Sequence, residues 1–190
     1  MSNTNKVLNI IFLSTIFLSC ATMPKSIVED RYLKIYSYII GSKEVKSLVK
    51  EFLGENTTND SLLNIIVSDT IYIIPLYSST NDAINYEYAD KSNDEKRHIK
   101  DSLFHAGNKI SEQSVYDDRI NSIPKPKNPR FILFYINPQK NKIEALLYPV
   151  KGDERSLQKT CGFTQAIAFL FYFDTREEIV KVFTNKVFDD

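Results

Sequence analysis

The sequence predicts an α+β domain in a single unit: amphipathic helices first, then a mainly antiparallel sheet ending in hairpins. Three observations carry that prediction. Apolar residues recur at spacings of three and four between Val28 and Phe52, the period of a one-sided helix. Runs rich in Ile, Val, Tyr and Phe then occupy 62–77, 131–136, 142–148 and 165–173, the composition of buried strands. Short turn-forming segments, Asn137 to Asn141 and Asp174 to Glu178, follow the runs at 131–136 and 165–173, as antiparallel neighbours require.

Taken in order, Val28, Tyr32, Ile35 and Ile39 form one helical stripe and Val45, Leu48, Val49 and Phe52 a second. The helix should break at Gly41-Ser42, with Ser42 capping the second piece and Gly54 ending it. Residues 62–77 read as strand, divided by Ser68-Asp69-Thr70 into a hairpin of two short strands. Ile84, Tyr86 and Tyr88 alternate and predict one weak strand. Ser92 and Glu95 have the spacing of a capping box, which starts a helix at Asn93 running to about His105. Residues 122–129 carry three prolines and read as a stiff extended connector. Phe131 to Ile136 and Lys142 to Tyr148 form a hairpin, and Gln165 to Phe173 another buried strand. Ile179 to Phe188 suits either a helix capped by Thr175 and Glu178 or a strand; its isoleucine, valines and threonine favour strand. The helices should pack on one face of the sheet.

Ahead of this domain lies a segment of different character. Lys6 is its one charge, and Val7 to Leu18 is apolar apart from Asn9, Ser14 and Thr15. Twelve residues of helix reach about 18 Å, well short of the roughly 30 Å hydrocarbon core. A positive start, a short apolar centre and a small-residue end mark a secretory signal. Phe17-Leu18-Ser19-Cys20 resembles the lipobox of bacterial lipoproteins. It departs from the commonest form at Phe17, where Leu is usual, and at Leu18, where a small residue is usual; Ser19 stands where Gly or Ala is commonest. The resemblance implies removal of 1–19 and a diacylglycerol thioether on Cys20, whose amine is usually acylated with a chain such as palmitate. The lipidated tether then runs over 20–27, with Pro24 in it, and the folded domain over 28–190, where the helical period begins. Ala21 carries none of the acidic signal that retains some lipoproteins at the inner membrane, which favours the outer membrane. Cleavage after Ala21, or a disulfide between Cys20 and Cys161, are the alternative fates of this region.

Removal of 1–19 takes only Lys6 from the 24 basic and 24 acidic side chains, leaving a nearly neutral chain. That balance lacks the basic footprint of a nucleic-acid-binding protein. With Cys20 acylated, Cys161 stands alone, so no internal disulfide holds the fold.

Candidate chemistry is sparse. His98 and His105 are seven apart on the predicted helix with Asp101 between them. Zinc-binding helices place histidines four apart, and here about 10 Å of axis separates them, so a solvated helix face is the better reading and no metal is assigned. Cys161 lies in no hydrolase signature and precedes the most apolar strand, where a small buried or strand-edge thiol is the simpler reading. No Gly-x-Ser-x-Gly, glycine-rich phosphate loop, Cys-x-x-Cys or calcium-loop spacing occurs, and neither catalytic residues nor a cofactor are assigned. Glu177-Glu178 and Asp189-Asp190 read as a turn and a solvated tail, and Lys125 and Lys127 as solubilising positions in the connector. Ser61, Thr70 and Ser102 each follow Asp and precede an apolar residue, resembling the O-glycan acceptor of some bacterial envelopes. The functional expectation is a membrane-anchored envelope lipoprotein with a non-catalytic binding or structural role. Its partner would be an envelope protein, a glycan or a small ligand, met by tyrosines such as Tyr72, Tyr77, Tyr86, Tyr88 and Tyr116. The alternative is an envelope hydrolase using scattered residues such as His105 and Cys161.

Overall fold

The computed structural model describes residues 25–54, 63–73, 81–107, 113–150 and 165–188, with side chains described over 31–54, 63–73, 81–103, 114–150 and 165–187. Cys20 and Cys161 lie outside them, as do Ser61, Tyr77 and the charged segment 152–160.

The paired helices form as their residues dictate. Helix α1 spans Lys25–Gly41 and buries Tyr32, Ile35, Tyr36 and Ile39, one stripe at helical spacing. Ser42 then leaves helical geometry and its hydroxyl accepts the Val45 N–H at 3.3 Å, starting α2 at Lys43–Leu53. Gly54 ends α2 at φ +64°, with its N–H turned back on the Glu51 and Lys50 carbonyls, the left-handed cap that glycine adopts most readily.

Among the described residues the strands are β1 (Ile65–Val67), β2 (Thr70–Ile73), β3 (Gln113–Tyr116), β4 (Phe131–Ile136), β5 (Lys142–Pro149), β6 (Gln165–Phe173) and β7 (Ile179–Phe188). They form one sheet ordered β3-β2-β4-β5-β6-β7, with β1 also paired to β4. From β4 to β7 every pairing is antiparallel. Both hairpins thus lie where the turn chemistry puts them, and Ile179–Phe188 is strand. The strands β4, β5 and β6 are buried almost residue for residue, as continuous apolar runs require when both faces of a sheet are covered.

Three expectations are corrected. The segment 62–77 contains no hairpin among its described residues, because β1 and β2 run the same way and both lie parallel to β4. Ser68 is the reason. Its N–H stays in the ladder on the Leu133 carbonyl at 2.9 Å, while its hydroxyl accepts the Thr70 N–H at 3.2 Å. The chain therefore jogs and continues without reversing, and β2's antiparallel partner is β3, which the sequence did not signal. Ile84 and Tyr86 lie in a helix, α3 (Asn81–Glu87), with Tyr88 in the turn after it. Burial of the adjacent pair Ala83 and Ile84 fits a helical face better than alternation does. Finally, the helices do not share one face. Helices α1 and α2 cover Leu133, Tyr135, Ala145, Phe169 and Phe171, whereas Ala83 of α3 packs on Leu170 and Tyr172 of the opposite face.

Helix α4 (Asn93–Gly107) begins at the capping box: the Ser92 N–H donates to Glu95 Oε2 at 2.9 Å and the Ser92 hydroxyl accepts the Glu95 N–H at 3.3 Å. A 3₁₀ turn at Asp118–Ser122, capped by Asp117, precedes the proline connector and places Ile120 and Ile123 in the core beside α1.

Candidate functional site in the corner between two helices

Short helix α3 is fixed to the sheet by polar as well as apolar contacts. The Glu87 carboxylate accepts Lys142 Nζ at 2.7 and 2.8 Å and the Tyr172 hydroxyl at 2.9 Å. Lys142 and Tyr172 are cross-strand partners in β5 and β6, so one carboxylate satisfies two polar groups that the sheet presents together. Burial, and then the hydrogen bond to Glu87, push the Tyr172 hydroxyl well above its ordinary pKa, so it stays a donor across the physiological range. Glu144, also buried, sits two residues along the same face of β5. Tyr86 lays its ring against Tyr172 at 5.0 Å and Phe183 at 5.6 Å, within the range of favourable aromatic pairs.

Held in this way, α3 faces the first turns of α4 across an open cleft of about 310 Å³ lined by Asn81, Ile84, Asn85, Asn93, Lys96, Arg97 and Lys100. The α4 residues recur at three and four, so the helical period itself aims them at one side. Lys100 Nζ donates to Asn81 Oδ1 at 2.8 Å and joins the two helices across the cleft. Arg97 has an exposed neighbour in Asp94 at 3.4 Å. The lining thus comprises three cations, three amides and one apolar side chain. Such a lining presents positive charge and hydrogen-bond donors to the cleft.

The residues singled out from the sequence fall elsewhere. His98 is exposed on α4 and lines a shallow depression with Ile99, Ser102 and Leu103 rather than this cleft. His105 lies in the same helix two turns on, and Cys161 falls outside the described residues. Among those residues no group of three or more His, Cys, Asp or Glu is placed to hold a metal ion. Of the tyrosines, Tyr72 is buried whereas Tyr86 and Tyr116 are exposed. Thr70 is half-buried and paired to Tyr116 across β2 and β3, and Ser102 is exposed on α4. Lys125 and Lys127 are exposed, with Lys125 bonded to Asn121 at 3.0 Å.

Glu177-Glu178 forms the expected turn, but its carboxylates are engaged rather than simply solvated. Glu177 bonds the buried Arg31 guanidinium and Glu178 takes Lys34 Nζ at 2.9 Å. Arg31 also donates to the Gln139 carbonyl at 3.1 Å and lies over the Phe173 ring. This clamp docks α1 on the β4–β5 and β6–β7 turns. Neither it nor the α3–α4 cleft is signalled by a local sequence pattern. The spacing of Asn93, Lys96, Arg97 and Lys100 signals the latter only once α3 is known to be a helix.

No protein-family model matches the chain, and no curated protein or solved structure matches it. No described helix is long and apolar enough to cross a membrane.

Proposed function

We propose that this chain is a lipid-anchored protein of a bacterial cell envelope, held by acyl chains on Cys20, whose α+β domain binds a partner without catalysing a reaction. The observation that carries the anchor is the charge-poor run Val7 to Leu18 ending in Ser19-Cys20. Two or more acyl chains on one residue make a stable anchor, since each buried methylene contributes about 0.8 kcal/mol. Helix α1 starts at Lys25, so only four residues separate the attachment point from regular structure. The domain therefore works close to its leaflet, with the outer membrane preferred. The lining of the α3–α4 cleft, rich in hydrogen-bond donors, supports a binding role.

Fractionation of cells producing wild type beside Cys20→Ala tests the anchor. The account predicts wild type in the membrane fraction, resistant to high salt, and the variant either soluble or retained as precursor. Identical, salt-extractable behaviour of the two proteins overturns it.

A further inference from the structure

The cleft between α3 and α4 has a chemistry specific enough to define a ligand class. We infer that it seats a phosphate monoester carried on a small polar body, with the phosphate among Lys96, Arg97 and Lys100 and the body against Asn81, Asn85 and Ile84. This deepens the proposed binding role and rests on it, but it does not depend on the lipid anchor.

Charge is the first reason. Positions 96, 97 and 100 fall within about 6 Å along the helix axis, and the nearby start of α4 adds the positive end of its dipole. Asp94 takes up part of the Arg97 charge at 3.4 Å, and an anion among Lys96, Arg97 and Lys100 takes up the rest. Donor count is the second. Lysine supplies three donors, arginine five in a planar fork and each amide two; Lys100 spends one on Asn81 and Arg97 turns one nitrogen to Asp94. A carboxylate, with two oxygens, takes up few of these. A phosphate monoester offers three terminal oxygens and roughly −1.5 to −2 charges at neutral pH.

Size is the third reason. A volume of about 310 Å³ is at the lower end for small-ligand sites and leaves room beside the phosphate for a sugar or glycerol. An extended polyanion fits badly, because the exposed acids Asp82, Asp94, Glu95 and Asp101 lie on the same two helices and repel its flanking phosphates. A sugar phosphate and a phospholipid headgroup present the same chemistry here, and the test separates them.

The full-length protein, purified in neutral detergent, is titrated calorimetrically with glucose 1-phosphate, with glucose as control, and separately with dihexanoyl phosphatidic acid against dihexanoyl phosphatidylcholine. Binding of either phosphate monoester without its control supports the inference; the first alone assigns a soluble ligand and the second alone a headgroup. Lys96→Ala with Lys100→Ala should weaken binding at least about tenfold, the scale of one lost charge-assisted hydrogen bond. Lys96→Arg should retain it. Arg97→Ala, at an exposed position outside the core, should weaken it several-fold, and circular dichroism reports whether each variant is folded. Absence of binding by both monoesters, or binding that folded Arg97→Ala leaves unchanged, overturns the inference. Because the titration does not use the anchor, its failure leaves the Cys20 reading untouched, and failure of that reading leaves the titration valid.

Discussion

Replacing Glu177 tests how α1 is held to the sheet. Arg31 is 2% exposed and Glu177 23%. Removing the carboxylate leaves the guanidinium in a nearly sealed site, with the Gln139 carbonyl at 3.1 Å and the Phe173 ring at 4.9 Å still beside it. Loss of one partner of a buried ion pair costs about 3–5 kcal/mol. The exposure of Glu177 and the surviving carbonyl contact place Glu177→Ala at the lower end, about 3 kcal/mol. For a chain of this size the melting midpoint should fall by about 6–12 °C. Backbone geometry supplies an internal control. Glu177 sits at φ +64°, where a residue with a Cβ is strained by about 1–2 kcal/mol. Glu177→Gly should therefore be about 1 kcal/mol less damaging than Glu177→Ala. Adding Arg31→Met to Glu177→Ala removes the buried guanidinium as well and should recover part of the loss. Urea unfolding followed by circular dichroism measures all of these, with an unchanged denaturant slope confirming that folded-state stability is compared. A cost below about 1 kcal/mol for Glu177→Ala, with the double variant no more stable than the single, refutes the buried-clamp argument.

Gly54→Ala meets no neighbouring atom within 4 Å, so its cost is the left-handed backbone alone; thermal unfolding should show a loss of about 1 kcal/mol. Glu87→Gln keeps a hydrogen-bond acceptor but removes the charge facing buried Lys142, and should cost about 2 kcal/mol by the same measurement. Hydrogen bonds from the Ser92 main-chain N–H and hydroxyl hold the Glu95 carboxyl below its ordinary value near 4.5. The capping interaction therefore contributes fully above that value and fades as pH falls through the depressed one. Ser92→Ala should raise the Glu95 midpoint in an NMR titration.

How far the fold was legible follows from the kind of signal each element carries. The β4–β5 and β6–β7 hairpins, the Ser42 break and the Ser92 capping box are written in local chemistry: continuous apolar runs, turn residues between them, a hydroxyl three residues ahead of its partner. Each survived folding because its local preference and its tertiary surroundings agree. In the segment 62–77 a jog at Ser68 and a hairpin at Ser68 look alike in sequence. The parallel pairing to β4, some sixty residues later, decides between them. Helix α3 is hidden for a related reason: seven residues give little periodicity, and the alternation of Ile84, Tyr86 and Tyr88 outweighs it. Since α3 supplies half the candidate cleft, the cationic stripe on α4 had no visible counterpart. The Arg31–Glu177 clamp joins residues 146 positions apart, which no local pattern encodes.

The mature N-terminal peptide puts the central claim to its most direct test. Mass spectrometry of trypsin-digested native protein should find the peptide Cys20 to Lys25 beginning at Cys20 and heavier than its amino acids by a diacylglycerol thioether, with or without an amide-linked acyl chain. A peptide beginning at Thr22, or an unmodified Cys20 thiol, contradicts it.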